Sequence, residues 1–286
     1  MKSLKLILVL VTVTMIAVSC GSKKNAQKEE ALKVEVPQML VLYYSQTSNT
    51  KAVAQEIATR LGADIEEIVA TNPYDGDFQA TIERCIKERE EDAICEIQPI
   101  TADLAKYDVI FIGYPVWFGT YAPPVIAFLN QVDLSGKKVV PFCTFGSGGL
   151  DSSVRDLAEQ QPNAEILPGY GVRAARLEAM PKEIDQFLKA NGFIEGEYTK
   201  LEDFPEQHPV TEEETAIFNA AVDGYPMLNA EAKTVASRTL PNGTEYLFTA
   251  VDRPREDNPK MPPAGELKVY VTVIEGETPE FTQVVR

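Results

Sequence analysis

The sequence predicts an α/β protein: a five-stranded parallel sheet with helices on both faces, followed by a small α+β domain with one helix on a four-stranded antiparallel sheet. Three observations carry that prediction. Short continuous apolar runs recur between Gln38 and Phe193, as expected of strands buried on both faces. Between them lie stretches with apolar residues at helical spacing. After Phe193 the pattern changes to one helical stretch and then four strand-like segments.

Each element follows from local chemistry. Met39–Tyr44 is the first apolar run and the first strand. Asn49–Leu61 places Val53, Ala54, Ile57, Ala58 and Leu61 on one stripe, which predicts a helix. Ala63–Val69 reads as a short strand and Phe78–Glu91 as a helix. Val109–Gly113, within YDVIFIGYPVWFG, is a second fully buried strand. The helix Ala122–Val132 opens with Pro123 and Pro124, where a missing N–H costs nothing. Lys138–Phe145 is a strand, Leu150–Gln160 a helix, Ala164–Leu167 the last strand and Pro181–Asn191 the closing helix. This alternation implies parallel strands joined by helical crossovers.

The acidic stretch Glu195–Pro209 contains Pro205 and Pro209 and reads as a linker. Thr211–Val222 is a helix whose Thr211 and Glu214 have the spacing of a capping box. Strands follow at Ala232–Leu240, Glu245–Val251, Glu266–Ile274 and Phe281–Val285. Pro241-Asn242-Gly243 marks a hairpin turn between the first two.

The chain has 286 residues and a formal net charge of −16. Such a surface repels phosphate backbones, so nucleic acid is excluded as a partner. The single His, His208, lies in the Pro-flanked linker and is read as a solvated loop residue. No Ser–His or Cys–His pair is evident, and no residue is assigned a catalytic role. No Cys/His cluster has metal spacing, so no metal site is expected. Cys85 and Cys95 are the only near pair of cysteines, with pairing left open, and Cys143 in its apolar strand is expected to be a buried thiol.

The N-terminus reads as a processing signal. Lys2 and Lys5 precede the apolar stretch Leu6–Val18, which is too short to cross a bilayer comfortably. Ala17-Val18-Ser19-Cys20 resembles the lipobox of bacterial lipoproteins, with Ala17 where a larger apolar residue is usual. That resemblance implies lipidation of Cys20 and a lipid anchor on the periplasmic or cell-surface side of a bacterial membrane. An ordinary secretory peptide with an incidental Cys is the other reading. The organisation expected is a signal peptide at 1–19, a polar tether at 20–37, the α/β domain at 38–194, the linker at 195–209 and the α+β domain at 210–286.

Three loops leave the carboxyl ends of the strands, where open parallel sheets bind ligands. The first is Ser45, Gln46, Thr47, Ser48, Asn49 and Thr50, an unbroken polar row running into a helix. Hydroxyls and free N–H groups at a helix start suit a phosphate dianion. The second, Pro115, Val116, Trp117, Phe118 and Gly119, holds the only Trp of the chain, a flat ring that can stack on a flat ligand or fill a gap beside the helix. The third is Thr144, Phe145, Gly146, Ser147, Gly148 and Gly149, whose glycines allow close backbone approach. Phosphate, flat ring and backbone hydrogen bonds together describe a flavin mononucleotide.

On these motifs, residues 38–193 resemble the flavodoxins. Ser45-Gln46-Thr47-Ser48-Asn49-Thr50 is similar to that family's S-x-T-G-N-T phosphate loop, with Ser48 where Gly is usual. The resemblance implies FMN as cofactor, an aromatic contact from Trp117 or Phe118, and ring contacts from Thr144–Gly149. The segment GYPMLNAEAKTVASRTLPNGTEYLFTAVDRP resembles the cystatin fold. In its inhibitory motif, Lys233 stands for Gln and Ser237 for Gly, so the resemblance implies the fold and not protease inhibition.

The expected function is electron transfer outside the cytoplasm through FMN, between redox protein partners or to a small-molecule acceptor. Neutral loops within an acidic protein disfavour a negatively charged reduced flavin and imply a low potential. An FMN-dependent NAD(P)H:quinone or nitro-compound reductase is the enzyme alternative, although no nicotinamide site is marked. A third reading is a flavin-free interaction module, with the C-terminal domain docking a protein partner or serving as a stabilising appendage.

Overall fold

The computed structural model describes residues 37–75, 77–91, 93–225, 228–253 and 265–285. The segments expected to be a signal peptide and a tether, Cys20 included, lie outside the described residues up to Val36.

Apolar residues on both faces of each strand bury the first sheet between two helical layers. Its strands are β1 (Met39–Tyr43), β2 (Asp64–Glu67), β3 (Val109–Trp117), β5 (Lys138–Phe145) and β6 (Glu165–Ile166), in the order β2-β1-β3-β5-β6 with every neighbour parallel. The helices are α1 (Asn49–Leu61), α2 (Phe78–Glu90), α3 (Pro123–Leu129), α4 (Leu150–Gln160) and α5 (Met180–Ala190). Alternate residues feed two separate cores. Leu40, Leu42, Ile110 and Ile112 pack with Val125, Phe128 and Leu157 on one face. Val41, Phe111 and Phe142 pack with Val53, Ile57, Ile184 and Leu188 on the other. Two apolar faces are why these strands read as continuous runs rather than alternations.

The structure extends the sequence reading in two places. β3 runs on to Trp117 and folds back on β4 (Thr120–Tyr121) as a tight hairpin. Phe118 and Gly119 form its two-residue turn with φ of 52° and 84°, the twist that a hairpin of this length requires. The last strand is interrupted: β6 pairs with Lys138 and Val139, and β7 (Tyr170–Arg173) resumes along Phe142–Phe145. Pro168 lies in the gap and cannot donate to a ladder.

The C-terminal domain has α6 (Glu212–Val222) and a sheet ordered β12 (Glu280–Val285), β11 (Glu266–Ile274), β10 (Gly243–Asp252), β9 (Ala230–Leu240) and β8 (His208–Pro209), antiparallel throughout. A fifth strand, β8, adds to the four expected. Two residues are too few to leave a periodic signal. The capping box forms as the spacing implies: Glu214 N–H donates to Thr211 Oγ1 and Thr211 N–H to Glu214 Oε2. Phe218 of α6 meets Phe248 of β10 edge-on at 5.2 Å. Lys233–Ser237 lies within β9, paired to β10.

Cys85, Cys95 and Cys143 are free, buried thiols. Burial pushes Cys85 up to about 11 from 9.0, and Cys143 higher still. None of the three should react with iodoacetamide at pH 7 until the chain is unfolded, and peptide mapping after native alkylation checks this. Thiols that ionise more readily unfolded than folded stabilise the fold fully below their unfolded pKa. The melting temperature should therefore fall once pH rises above about 9.

Candidate functional site

The three loops converge at the carboxyl ends of β1, β3 and β5, beside the point where strand order reverses. Thr50 Oγ1 and Thr144 Oγ1 share a buried 2.8 Å hydrogen bond that ties the first loop to the third. A methyl group on Gly149 would lie 2.5 Å from Val116 Cγ1, so the third loop sits directly against the second. Ser152 Oγ donates to Gly119 O at 2.6 Å and holds the hairpin tip to the start of α4.

In the first loop, Ser45 Oγ is buried and has no hydrogen-bond partner among the described residues. An unmet buried hydroxyl costs about 1–3 kcal/mol. The backbone N–H groups from Gln46 to Thr50 likewise have no acceptor among the described residues. They precede or open α1, whose N-cap Ser48 makes no side-chain cap bond. Orphan N–H groups and the positive end of the helix dipole thus coincide at the start of α1. Gln46 turns its side chain elsewhere: Nε2 donates to Tyr74 O at 2.8 Å and Thr81 Oγ1 at 2.7 Å. Thr47 and Ser48 are exposed, Asn49 is half-buried, and Lys51 points to Glu67 at 3.6 Å.

Ser48 has φ 66° and ψ −2°, in the left-handed region. A non-glycine residue pays about 1–2 kcal/mol there. Ser48→Gly should raise stability by about 0.5–1 kcal/mol after the added chain entropy of glycine, read as a higher melting temperature.

In the second loop, Trp117 is half-buried and ends β3. Its ring meets Tyr44 at 5.9 Å and Tyr74 at 5.3 Å, both edge-on. Sequence reading placed Trp117 in a loop; pairing with Thr120 makes it a strand end and a member of an aromatic cluster. Phe118 is 53% exposed at the hairpin tip, with the Arg89 guanidinium 5.7 Å above its ring. Pro115 pairs with Thr144 across the ladder. Tyr44 belongs to this wall but reads in sequence only as the end of an apolar run. Tyr74 is fixed by Arg84 stacked at 3.7 Å and by donation to Glu88 at 2.6 Å.

In the third loop, Phe145 is buried in the core and Gly146–Gly148 face the C-terminal domain. Arg173 Nε donates to Gly146 O at 2.9 Å and Nη1 to Phe281 O at 2.5 Å. Its guanidinium lies 4.4 Å from the Phe281 ring and 5.2 Å from that of Tyr225. Val284 N–H donates to Ser147 O at 2.6 Å. Arg176, paired with Glu183, also forms an ion pair with Glu280 at 2.8 Å. None of Arg173, Tyr225 and Val284 had a local sequence signal of a site.

The flavodoxin family model matches residues 38–184. No curated protein sequence matches the chain. Among solved structures, a Bacteroides eggerthii protein described as a flavoprotein is 26% identical, with TM-score 0.48, covering 54% of this chain and 98% of that one. A Lactobacillus acidophilus flavoprotein solved in complex with FMN is 26% identical, with TM-score 0.44, covering 48% of this chain and 93% of that one. Flavodoxin 2 of Bacillus cereus is 20% identical, with TM-score 0.37, covering 55% and 97%.

Proposed function

Because the chain belongs to the flavodoxin family over residues 38–184, we propose that it seats FMN in these three loops and carries electrons between redox partners outside the cytoplasm. The observation that carries the reading is the first loop. Ser45 Oγ is buried without a partner beside the acceptor-free N–H groups of Gln46–Thr50. The N–H groups can only donate and the Ser45 hydroxyl can donate beside them at a helix start, and a phosphate dianion is the acceptor they fit.

FMN, when bound, supplies reversible one- and two-electron transfer. The chain's part is to hold it. Ser45, Thr47 and the loop amides bind the phosphate, while Trp117 and Phe118 offer ring faces for the isoalloxazine. The buried pair Thr50 and Thr144 keeps the first and third loops in register. The three loops carry no His, Cys or charged residue, so none of their side chains is a general acid or base of the usual kinds. That composition suits outer-sphere electron transfer better than a reductase.

Purified residues 21–286, loaded with FMN and desalted, should retain the near-ultraviolet and blue flavin bands. Anaerobic mixing with NADH or NADPH should leave those bands unbleached over minutes. Fast bleaching would favour the quinone or nitro-compound reductase reading, and a colourless protein the interaction module. The midpoint potential should lie below that of free FMN, since negative charge added under a protein of net charge −16 is disfavoured.

The anchoring role rests on sequence. Cys20 is read as the lipidated residue, and Cys20→Ser should move the protein from the membrane to the soluble fraction. We read the C-terminal domain, a helix over an antiparallel sheet, as cystatin-like and as a candidate dock for a protein partner.

A further inference from the structure

We propose that the C-terminal domain is a working wall of the flavin seat. By clamping the third loop, it aims the N–H groups of Ser147 and Gly148 as fixed donors to the cofactor ring. This rests on the FMN reading above.

The argument begins with the peptide plane. In a trans peptide, the carbonyl of one residue and the N–H of the next point in opposite directions. Gly146 O is held by Arg173 Nε at 2.9 Å, and Ser147 O by Val284 N–H at 2.6 Å. Both carbonyls are therefore engaged on the side of Arg173 and β12. The N–H groups of Ser147 and Gly148 are turned away from that side, and neither has an acceptor among the described residues. Two N–H donors without an acceptor among the described residues result, in the loop that adjoins the second loop at Val116 and the first at Thr50.

The clamp is built closely. A Cβ on Gly148 would lie 2.2 Å from Val284 O, so only glycine lets β12 come this near. Arg173 is the hub: one guanidinium holds the loop through Gly146 O and the domain through Phe281 O. Arg176 adds a 2.8 Å ion pair with Glu280. β12 is an edge strand, and Val284 spends its N–H on the loop. Donors fixed before the ligand arrives lose no ordering entropy on binding, so the clamp should raise affinity for the ring.

The test uses residues 21–286 with Arg173→Lys, which keeps the charge but loses the two-pronged fork, and Val284→Pro, which removes one N–H from an edge strand. Circular dichroism and Trp117 fluorescence check that each variant folds. Binding of FMN and of riboflavin is titrated, and amide exchange at Ser147 and Gly148 is measured without flavin. The expected result is a loss of about tenfold for both ligands in each variant, little further loss in the double variant, faster exchange at both amides and a shifted midpoint potential. Equal losses for FMN and riboflavin place the effect at the ring and not at the phosphate. Wild-type protein that binds FMN, with variants that match it in affinity and exchange, overturns the proposal. So does tighter binding in the variants, which would make the domain an obstruction. Wild-type protein that binds no flavin overturns the FMN reading instead, and the exchange rates then report the clamp alone.

Discussion

Gly113→Ala should destabilise the α/β domain by about 3 kcal/mol, which for a chain of this size lowers the melting temperature by roughly 6–12 °C. Gly113 lies in β3 directly opposite Phe142 of β5. The Phe142 ring covers it so closely that a Cβ would sit 2.1 Å from Cζ and 2.2 Å from Cε2. Phe142 is itself fully buried in the core under α1 and α5, so its ring has nowhere to swing without displacing other core side chains. Gly113 also accepts the Tyr44 N–H at 3.0 Å, at the end of β1 where the first loop departs. Strain there should reach the site as well. Phe142→Leu alone leaves a cavity and costs about 1–3 kcal/mol by the same packing argument. Combined with Gly113→Ala, it should cost less than the two single changes added together, because the smaller side chain vacates the space that the new methyl needs. Urea denaturation followed by Trp117 fluorescence measures all three. Strict additivity would mean that the ring–glycine contact is not the source of the loss.

Ser45→Ala should weaken FMN binding by about 10- to 100-fold while leaving riboflavin binding within twofold, because a hydrogen bond to a charged group is worth about 1.5–3 kcal/mol. The two ligands differ only in the phosphate, and the Ser45 hydroxyl is the buried donor without a protein partner beside the loop amides. The same substitution should stabilise the ligand-free protein slightly, since it removes an unsatisfied buried polar atom. Opposite signs in the two measurements are the signature of a group kept for a ligand and not for the fold. A loss of riboflavin affinity as large as that of FMN would place Ser45 at the ring end and undo the phosphate-loop assignment. The pattern also separates this loop from the third one, where damage is expected to weaken both ligands alike.

Much of the molecule was legible because burial direction repeats along the chain. Runs such as Met39–Tyr43 and Val109–Ile112 face apolar cores on both sides, so their composition alone marks them as central parallel strands. The helix starts at Pro123 and Thr211 are set by proline geometry and by a capping box, both local effects. The polar row Ser45–Thr50 marks itself as a candidate ligand loop because its residues suit neither a strand nor a short turn. Lost to sequence reading were the features that depend on partners distant along the chain. Trp117 looked like a loop residue until Tyr44 and Tyr74 came to its edges. Only the side chain of Gln46 turns away from the first loop, its amide taken by Tyr74 O and Thr81, while its backbone N–H stays with the row. The pairing of Cys85 with Cys95 was open from spacing, and the fold keeps both as free buried thiols.

Neighbouring residues carry the alternating architecture, the capped helices and the three loops at one end of the sheet, because periodicity, caps and turns are local. Folding in three dimensions is what joins the glycine loop to the C-terminal domain through Arg173–Phe281 and Ser147–Val284, contacts that span more than a hundred positions. Such contacts arise where two separately patterned cores meet. The geometry of that meeting is set by the packed surfaces of both domains and not by any local run of residues.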